Sequence, residues 1–301
     1  MQVILSGLAT GAIYGLVGMA FAVAFYVTKV INFAQGQLLM ISVMVTAAVT
    51  ATGLPSAVAV IVGVLAAAVF GALTYLLAVK PVLAFDRFSF AWLVSTLGAA
   101  MIIENGAALI WGPTSRGFPP LLHGQTVRIG AATLTVQQVV AIVVAVVAVI
   151  AFVWVRRRTW FGKLGMAIAE DPEMASAVGA NTTVVALGAF GVAGMLAGVA
   201  GVLVGPITYA NPYLGSTYGI LGFVALMVGG IDRPAGAMVG GLVLGVLSEA
   251  ANAFIGAQAS DWFPFLIVVV VLLLNPHELF SSRGLPGRFL RARFAPHASM
   301  S

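Results

Sequence analysis

The sequence specifies an all-α, polytopic integral membrane protein, and three observations carry that reading. Of its 301 residues 61% are hydrophobic and 8% charged, with a mean hydropathy of +1.10, whereas a soluble domain has roughly a quarter charged residues to cover its surface. Apolar stretches bounded by Pro, Gly or charge recur from end to end. The basic residues between those stretches fall almost entirely into alternate loops, as expected of a chain that crosses a bilayer repeatedly. A cytosolic enzyme and a nucleic-acid-binding protein are both excluded by this composition, despite a net charge of +5. With no cysteine, the chain has no disulfide, thiolate or Cys-ligated metal chemistry.

The apolar stretches are 3–27, 36–52, 55–79, 91–111, 136–155, 187–208, 214–230, 235–256 and 262–275, giving about 8–9 transmembrane helices. A crossing helix needs about 20 apolar residues. Stretches 36–52, 214–230 and 262–275 fall short and are expected to be tilted, broken or re-entrant. The first stretch contains Ala22-Val23-Ala24, which resembles a signal-peptide cleavage site, but no Lys or Arg precedes it, so it is read as a retained span. Residues 1–280 then form one transmembrane domain, and 281–301, with Pro286, Pro296 and four arginines, a mobile basic cytoplasmic tail near anionic lipid.

Lys29, Lys80, Arg87, Arg156, Arg157, Arg158, Lys163, Arg233, Arg283, Arg288, Arg291 and Arg293 fall in one set of loops, and Arg116 and Arg128 in the other. Basic loops stay in the cytoplasm, which places the N-terminus outside and the C-terminus inside. Glycines spaced four apart, at Gly7, Gly11 and Gly15 and at Gly236 and Gly240, put a small-residue stripe on one helix face. Such stripes serve close packing within one bundle or an interface between two. No fixed-period sequence repeat is visible, although an inverted structural repeat needs none.

No enzyme motif occurs. Lys163 is followed by Leu164 and position 158 is Arg, so the chain lacks a phosphate-cradling loop. His123, His277 and His297 lie far apart outside the spans, which leaves no metal site to expect. Two carboxylates fall inside apolar spans: Glu104, followed by Asn105, and Glu249, with Asn252 one turn on. A charge at bilayer centre costs about 2.5–3.5 kcal/mol on insertion scales. Each therefore faces a solute or ion pathway, is protonated, forms a structural hydrogen bond between helices, or lies nearer the interface than the bilayer centre. The longest polar connector, 156–182, has the makings of a short cytoplasmic helix, with Glu170-Asp171-Pro172-Glu173 at its centre. It is either a docking surface for a cytoplasmic protein or an ordinary solvated loop.

Three separated stretches resemble the permease subunits of bacterial ABC importers for branched-chain amino acids, the smaller of the two paired permeases. They are Gly7 to Leu16 followed by Val30-Ile31-Asn32-Phe33-Ala34-Gln35-Gly36, the loop Gly162 to Pro172 with Ala175 and Gly179, and Gly229-Gly230, Pro234, Gly236, Gly240-Gly241, Gly245 and Glu249. The resemblance implies alternating access in a multi-pass plasma-membrane protein without its own ATPase site or cofactor. ATP is bound by two cytoplasmic ATPase subunits docking on Gly162, Ala167, Ala169, Glu170, Asp171, Pro172 and Gly179. A homologous second permease shares the path, and an extracytoplasmic solute-binding protein delivers cargo. Asn32, Gln35, Gln37, Glu104, Asn105, Glu249 and Asn252 are the candidate path residues. Gln35 and Gln37 stand where the family commonly has His and Glu, and Met166 where Arg is usual. That leaves urea, short amides or aromatic acids beside the branched-chain amino acids as cargo. A stand-alone carrier using Glu104 or Glu249 for ion coupling is the other class of reading.

Overall fold

The structure is a computed structural model that describes residues 1–85, 90–118, 126–129, 132–256 and 259–274. The expected tail, 281–301, lies outside them. Twelve α-helices and one small hairpin are present among these residues: α1 (Gln2–Thr28), α2 (Gln35–Ala51), α3 (Ser56–Thr74), α4 (Lys80–Phe85), α5 (Ala91–Trp111), β1 (Thr126–Ile129), β2 (Ala132–Thr135), α6 (Val136–Arg158), α7 (Trp160–Glu170), α8 (Pro172–Ala177), α9 (Thr182–Thr208), α10 (Leu214–Gly229), α11 (Pro234–Ile255) and α12 (Ala259–Leu274). Six helices are long and apolar enough to span a membrane, α3 and α4 counting as one continuous 56–85 element. This is a multi-pass, all-α membrane protein.

Boundaries follow local chemistry. Thr135 and Gln138 close a capping box at the start of α6, and Asn181 accepts from the Val184 amide to start α9 five residues before the apolar stretch that marked it in the sequence. Pro234 sits in the first turn of α11, where its missing N–H costs nothing. Between α3 and α4 the chain makes a π turn, Tyr75–Val79. Pro81 follows two residues after the turn ends, and a proline there removes the amide that would bond the Leu77 carbonyl and crowds it, which widens the preceding turn. The hairpin 126–135 has no counterpart among the expected helices. Its two strands are only four residues each, and it is held by pairing from Thr126–Thr135 to Ile129–Ala132 and by Gln2, whose amide bonds both the Thr133 carbonyl (2.8 Å) and amide (2.9 Å). The start of α1 and the hairpin therefore mark one end of the molecule.

The helices α1–α3 and α9–α11 form two structurally equivalent halves. α1 and α9 are each 27 residues long. Each ends on a threonine whose hydroxyl bonds the carbonyl four residues back, Thr28 to Ala24 and Thr208 to Val204. A residue of positive φ follows each, Lys29 at 57° and Tyr209 at 63°. An asparagine then closes the next turn, Asn32 Oδ1 accepting from the Ala34 amide and Asn211 Oδ1 from the Tyr213 amide. Finally comes a short helix with glycine in second place, Gly36 in α2 and Gly215 in α10.

The two halves run in opposite senses. α1 goes from the hairpin end to the end where Lys29 pairs with Asp232, and α9 returns to the hairpin end, where Arg116 and Ala210 form a β-bridge. Each half lends its third helix to the first helix of the other, α11 lying antiparallel on α1 and α3 on α9. The glycine stripes make this possible. A Cβ on Gly7 would lie 2.6 Å from Val246 Cα, on Gly11 2.6 Å from the Gly241 oxygen, and on Gly15 2.9 Å from the Met238 oxygen. Such distances admit no side chain. On α11 the opposite seam, Gly236 and Gly240, packs on Gly229 at the end of α10. All these glycines meet helices of their own chain.

Candidate functional site

The short helices α2 and α10 begin inside the molecule, not at its surface. Gln35, the first residue of α2, donates to the Ala193 carbonyl at 2.8 Å, and Ala193 lies eleven residues, about 16 Å of rise, along α9 from Thr182. The start of α10 meets the start of α2: a Cβ on Gly36 would lie 2.6 Å from Gly219 Cα. Two helix N-termini thus converge near mid-depth, each presenting its positive dipole end.

Glu104 of α5 completes this meeting point. Its Oε2 accepts from Gln37 Nε2 at 2.6 Å and from Ser216 Oγ at 2.5 Å, and Gln37 Nε2 also lies 3.2 Å from Ser216 Oγ. Gln37 and Ser216 are the third residues of α2 and α10, equivalent positions in the two halves. Gln37 is 3% exposed. Its Oε1 is buried without a partner, set against Gly215, where a side chain would collide with it. Among the described residues Glu104 has no ion pair. The cluster is consequently rich in acceptors, and the donors it owns are already engaged.

The remaining candidate path residues are placed elsewhere. Asn32 and Gln35 are fully buried and bond each other at 3.3 Å while closing the break before α2, so their chemistry is spent on the fold. Asn105 is exposed and donates back to the Met101 carbonyl of its own helix. Glu249 and Asn252 lie on α11, apart from the cluster. Beside them Ser248, 4% exposed, has a buried Oγ without a partner, as does Asn252 at Oδ1. Ser216 and Asn211 were missed in the sequence because they follow no charge. The signal that could have found them is Asn211-x-x-x-Gly215-Ser216 against Asn32-x-x-x-Gly36-Gln37.

The connector 156–182 folds into two helices where the sequence pointed to one. Thr159 ends α6 and accepts from the Gly162 amide to start α7, and a Cβ on Gly162 would lie 2.5 Å from Arg156 Cα, so this corner needs glycine. Asp171 is the N-cap of α8, its Oδ1 accepting from the amides of Glu173 and Met174 at 3.0 Å, with Pro172 in the first turn. Gly179 follows at φ 89°, a conformation that favours glycine. Ala167 and Glu170 face solvent and Ala169 is half-buried, but Ala175 packs inward on Ile168 and Val185. Outward apolar side chains are Trp160 and Phe161 at the start of α7, and Met174, 68% exposed, and Val178, 85% exposed, on α8 and at its end.

Paired inverted halves, helices that start at mid-depth and a lone carboxylate at their junction define a membrane transport protein. The chain belongs to the branched-chain amino acid transport system permease component family, whose pattern matches residues 3–274. It is 31% identical to the high-affinity branched-chain amino acid transport system permease protein LivH of Salmonella typhimurium over 291 aligned positions, covering 92% of this chain and 94% of that protein. The corresponding permease protein BraD of Pseudomonas aeruginosa is 29% identical with the same coverage. The ribose import permease protein RbsC of Bacillus subtilis is 26% identical over 87% of this chain and 80% of its own length.

Proposed function

We propose that this chain is the membrane-spanning permease subunit of an ABC importer for branched-chain amino acids or a closely related small zwitterion. The names of the relatives support this class of cargo, and the Gln37–Glu104–Ser216 cluster is the observation that carries it. An amino acid presents an ammonium, which supplies the donor and positive charge that the cluster lacks, and a carboxylate, which suits the converging N-termini of α2 and α10. Urea or a short amide would satisfy the acceptors but leave the Glu104 charge uncompensated, which disfavours it.

Energy comes from outside the chain. Two cytoplasmic ATPase subunits bind the ATP and dock on α7–α8 through Met174 and Val178, together with the exposed Ala167 and Glu170 and the half-buried Ala169 of α7. Asp171, Pro172, Gly162 and Gly179 hold the two helices in shape. A homologous second permease completes the path, and a solute-binding protein delivers cargo from the hairpin side. The inward orientation of α7–α8 is supported by Lys29, Arg156, Arg157, Arg158, Lys163 and Arg233 in the loops at that end. The N-terminus is then extracytoplasmic and the C-terminus cytoplasmic, in a bacterial inner membrane.

Liposomes carrying this chain with its ATPase and permease partners should accumulate leucine when ATP and the loaded binding protein are supplied. Liposomes carrying the chain alone should not, even with an imposed proton gradient. Uptake by the isolated chain would replace this reading with that of a carrier coupled through Glu104 or Glu249.

A further inference from the structure

Where α6 turns into α7, a cavity of about 280 Å³ opens between α1, α6, α7 and α9. Its walls are apolar: Val23 and Val27 from α1, Phe152 from α6, Phe161 from α7, and Val185 and Val192 from α9. The residues lining it include no acid. Two glycines keep it open. A Cβ on Gly188 would find nothing within 4 Å, and one on Gly165 nothing nearer than 3.8 Å.

One lining residue does not belong with hydrocarbon. Arg156 shares the wall, and its Nε is buried with no hydrogen-bond partner. A buried guanidinium donor without an acceptor is costly, and among the described residues no carboxylate lines this cavity. Arg157, Arg158 and Lys163 are exposed close by in sequence, adding positive charge at the same level. Trp154, 61% exposed, and Trp160, 73% exposed, flank the arginines as aromatic side chains do at a membrane surface. A second groove on α6, lined by Val149, Val153, Trp154, Arg157 and Arg158, repeats the pairing of an apolar wall with guanidinium groups.

We propose that the α1–α6–α7–α9 cavity binds an anionic phospholipid, one acyl chain filling the apolar pocket and the phosphate accepting from Arg156. The occupant follows from three properties taken together. Three of the walls are membrane-spanning helices, so the surrounding solvent is hydrocarbon. The volume is near the lower limit of small-molecule sites, about 300 Å³, and suits a single chain better than a whole lipid. Besides the Tyr26 hydroxyl, the polar demand of the lining is for a negatively charged acceptor, which a phosphodiester meets and an apolar helix does not; phosphatidylcholine carries that group too, but its choline is repelled by Arg157, Arg158 and Lys163, which favours a headgroup of net negative charge. Because Phe161, Gly162 and Gly165 form the α7 wall, such a lipid touches the helix that the proposed function assigns to ATPase docking. The binding site itself does not depend on that assignment.

Native mass spectrometry of the purified full-length chain, after equilibration with palmitoyl-oleoyl phosphatidylglycerol or phosphatidylcholine in mixed micelles, tests the proposal. The unaltered chain should retain phosphatidylglycerol at least fivefold over phosphatidylcholine. Arg156→Gln should remove the preference while leaving residual binding of both lipids. Gly188→Leu, whose Cβ would meet nothing within 4 Å and whose side chain occupies pocket volume, should lower retention of both. Inorganic phosphate at millimolar concentration should not compete, because without an acyl chain it gains nothing from the pocket. Equal retention of the two lipids by the unaltered chain, undiminished phosphatidylglycerol in both variants, or displacement by phosphate alone would each overturn it. Gly188→Leu keeps the test decisive if Arg156→Gln does not fold.

Discussion

The Gln37 amide on the first turn of α2 donates to the Glu104 carboxylate of α5 at 2.6 Å, joining residues 67 positions apart. This contact closes one side of a junction whose other side is Ser216, at the equivalent place in α10. It gives Glu104 two hydrogen bonds but no countercharge among the described residues. The first prediction rests on that difference.

Glu104→Gln preserves the shape and an acceptor while removing the charge. Leucine uptake by the assembled transporter should fall at least tenfold, with ATPase subunits still co-purifying. Gln37→Glu should be as damaging, since it sets two carboxylates against each other where one amide now bridges. Undiminished uptake in Glu104→Gln would show that the carboxylate is only a structural acceptor.

Asp171 acts first through its cap on α8. Replacing it by Ala should cost about 1 kcal/mol of local helix stability, seen as faster amide exchange over Pro172–Ala177. Asp171→Asn should restore the exchange rates, because Asn caps as well as Asp. ATPase coupling should follow the same order. Equal loss of coupling in both variants would assign the effect to charge at the partner surface.

Docking by apolar contact makes Met174 and Val178 the sensitive positions on α7–α8. Met174→Glu with Val178→Glu should abolish co-purification of the ATPases without lowering membrane expression. Glu170→Ala at an exposed site should change it little, given that surface ion pairs contribute about 0–1 kcal/mol. The opposite ranking would return the contact to the acidic residues.

The corner at Thr159 leaves no room at Gly162. Gly162→Leu should displace α7 from the end of α6 and lower the melting temperature, whereas Gly188→Leu, facing open space, should not. Matching melting temperatures for the two variants would show that the corner relaxes freely.

Sidedness is testable because the chain has no cysteine. A cysteine at Ser115 should react with an impermeant thiol reagent in intact cells, and one at Ser176 only after lysis. Labelling in the reverse order would place α7–α8 outside and remove the docking proposal with it.

The all-α membrane class, the number of apolar stretches and their approximate bounds were determined by the sequence alone, because burial in hydrocarbon is a local property of about 20 successive residues. The glycine stripes were equally visible, yet which helices they would meet was not. Gly11 faces Gly241 and Gly236 faces Gly229, pairings that depend on how distant segments dock. Neither the hairpin 126–135 nor the second connector helix was read from the pattern. One rests on pairing and Gln2, and the other on a cap at Asp171 whose carboxylate reads in sequence as a surface charge. The candidate site shows the same division. Gln37 and Glu104 stood out as polar residues in apolar runs, while Asn32 and Gln35 stood out equally and were consumed by the break before α2. Only the tertiary structure could separate them and add Ser216. The two halves run in opposite senses, so Gln37 and Ser216 are related by a rotation of the folded chain, and the sequence displays that relation only as the short Asn-x-x-x-Gly pattern preceding each of them.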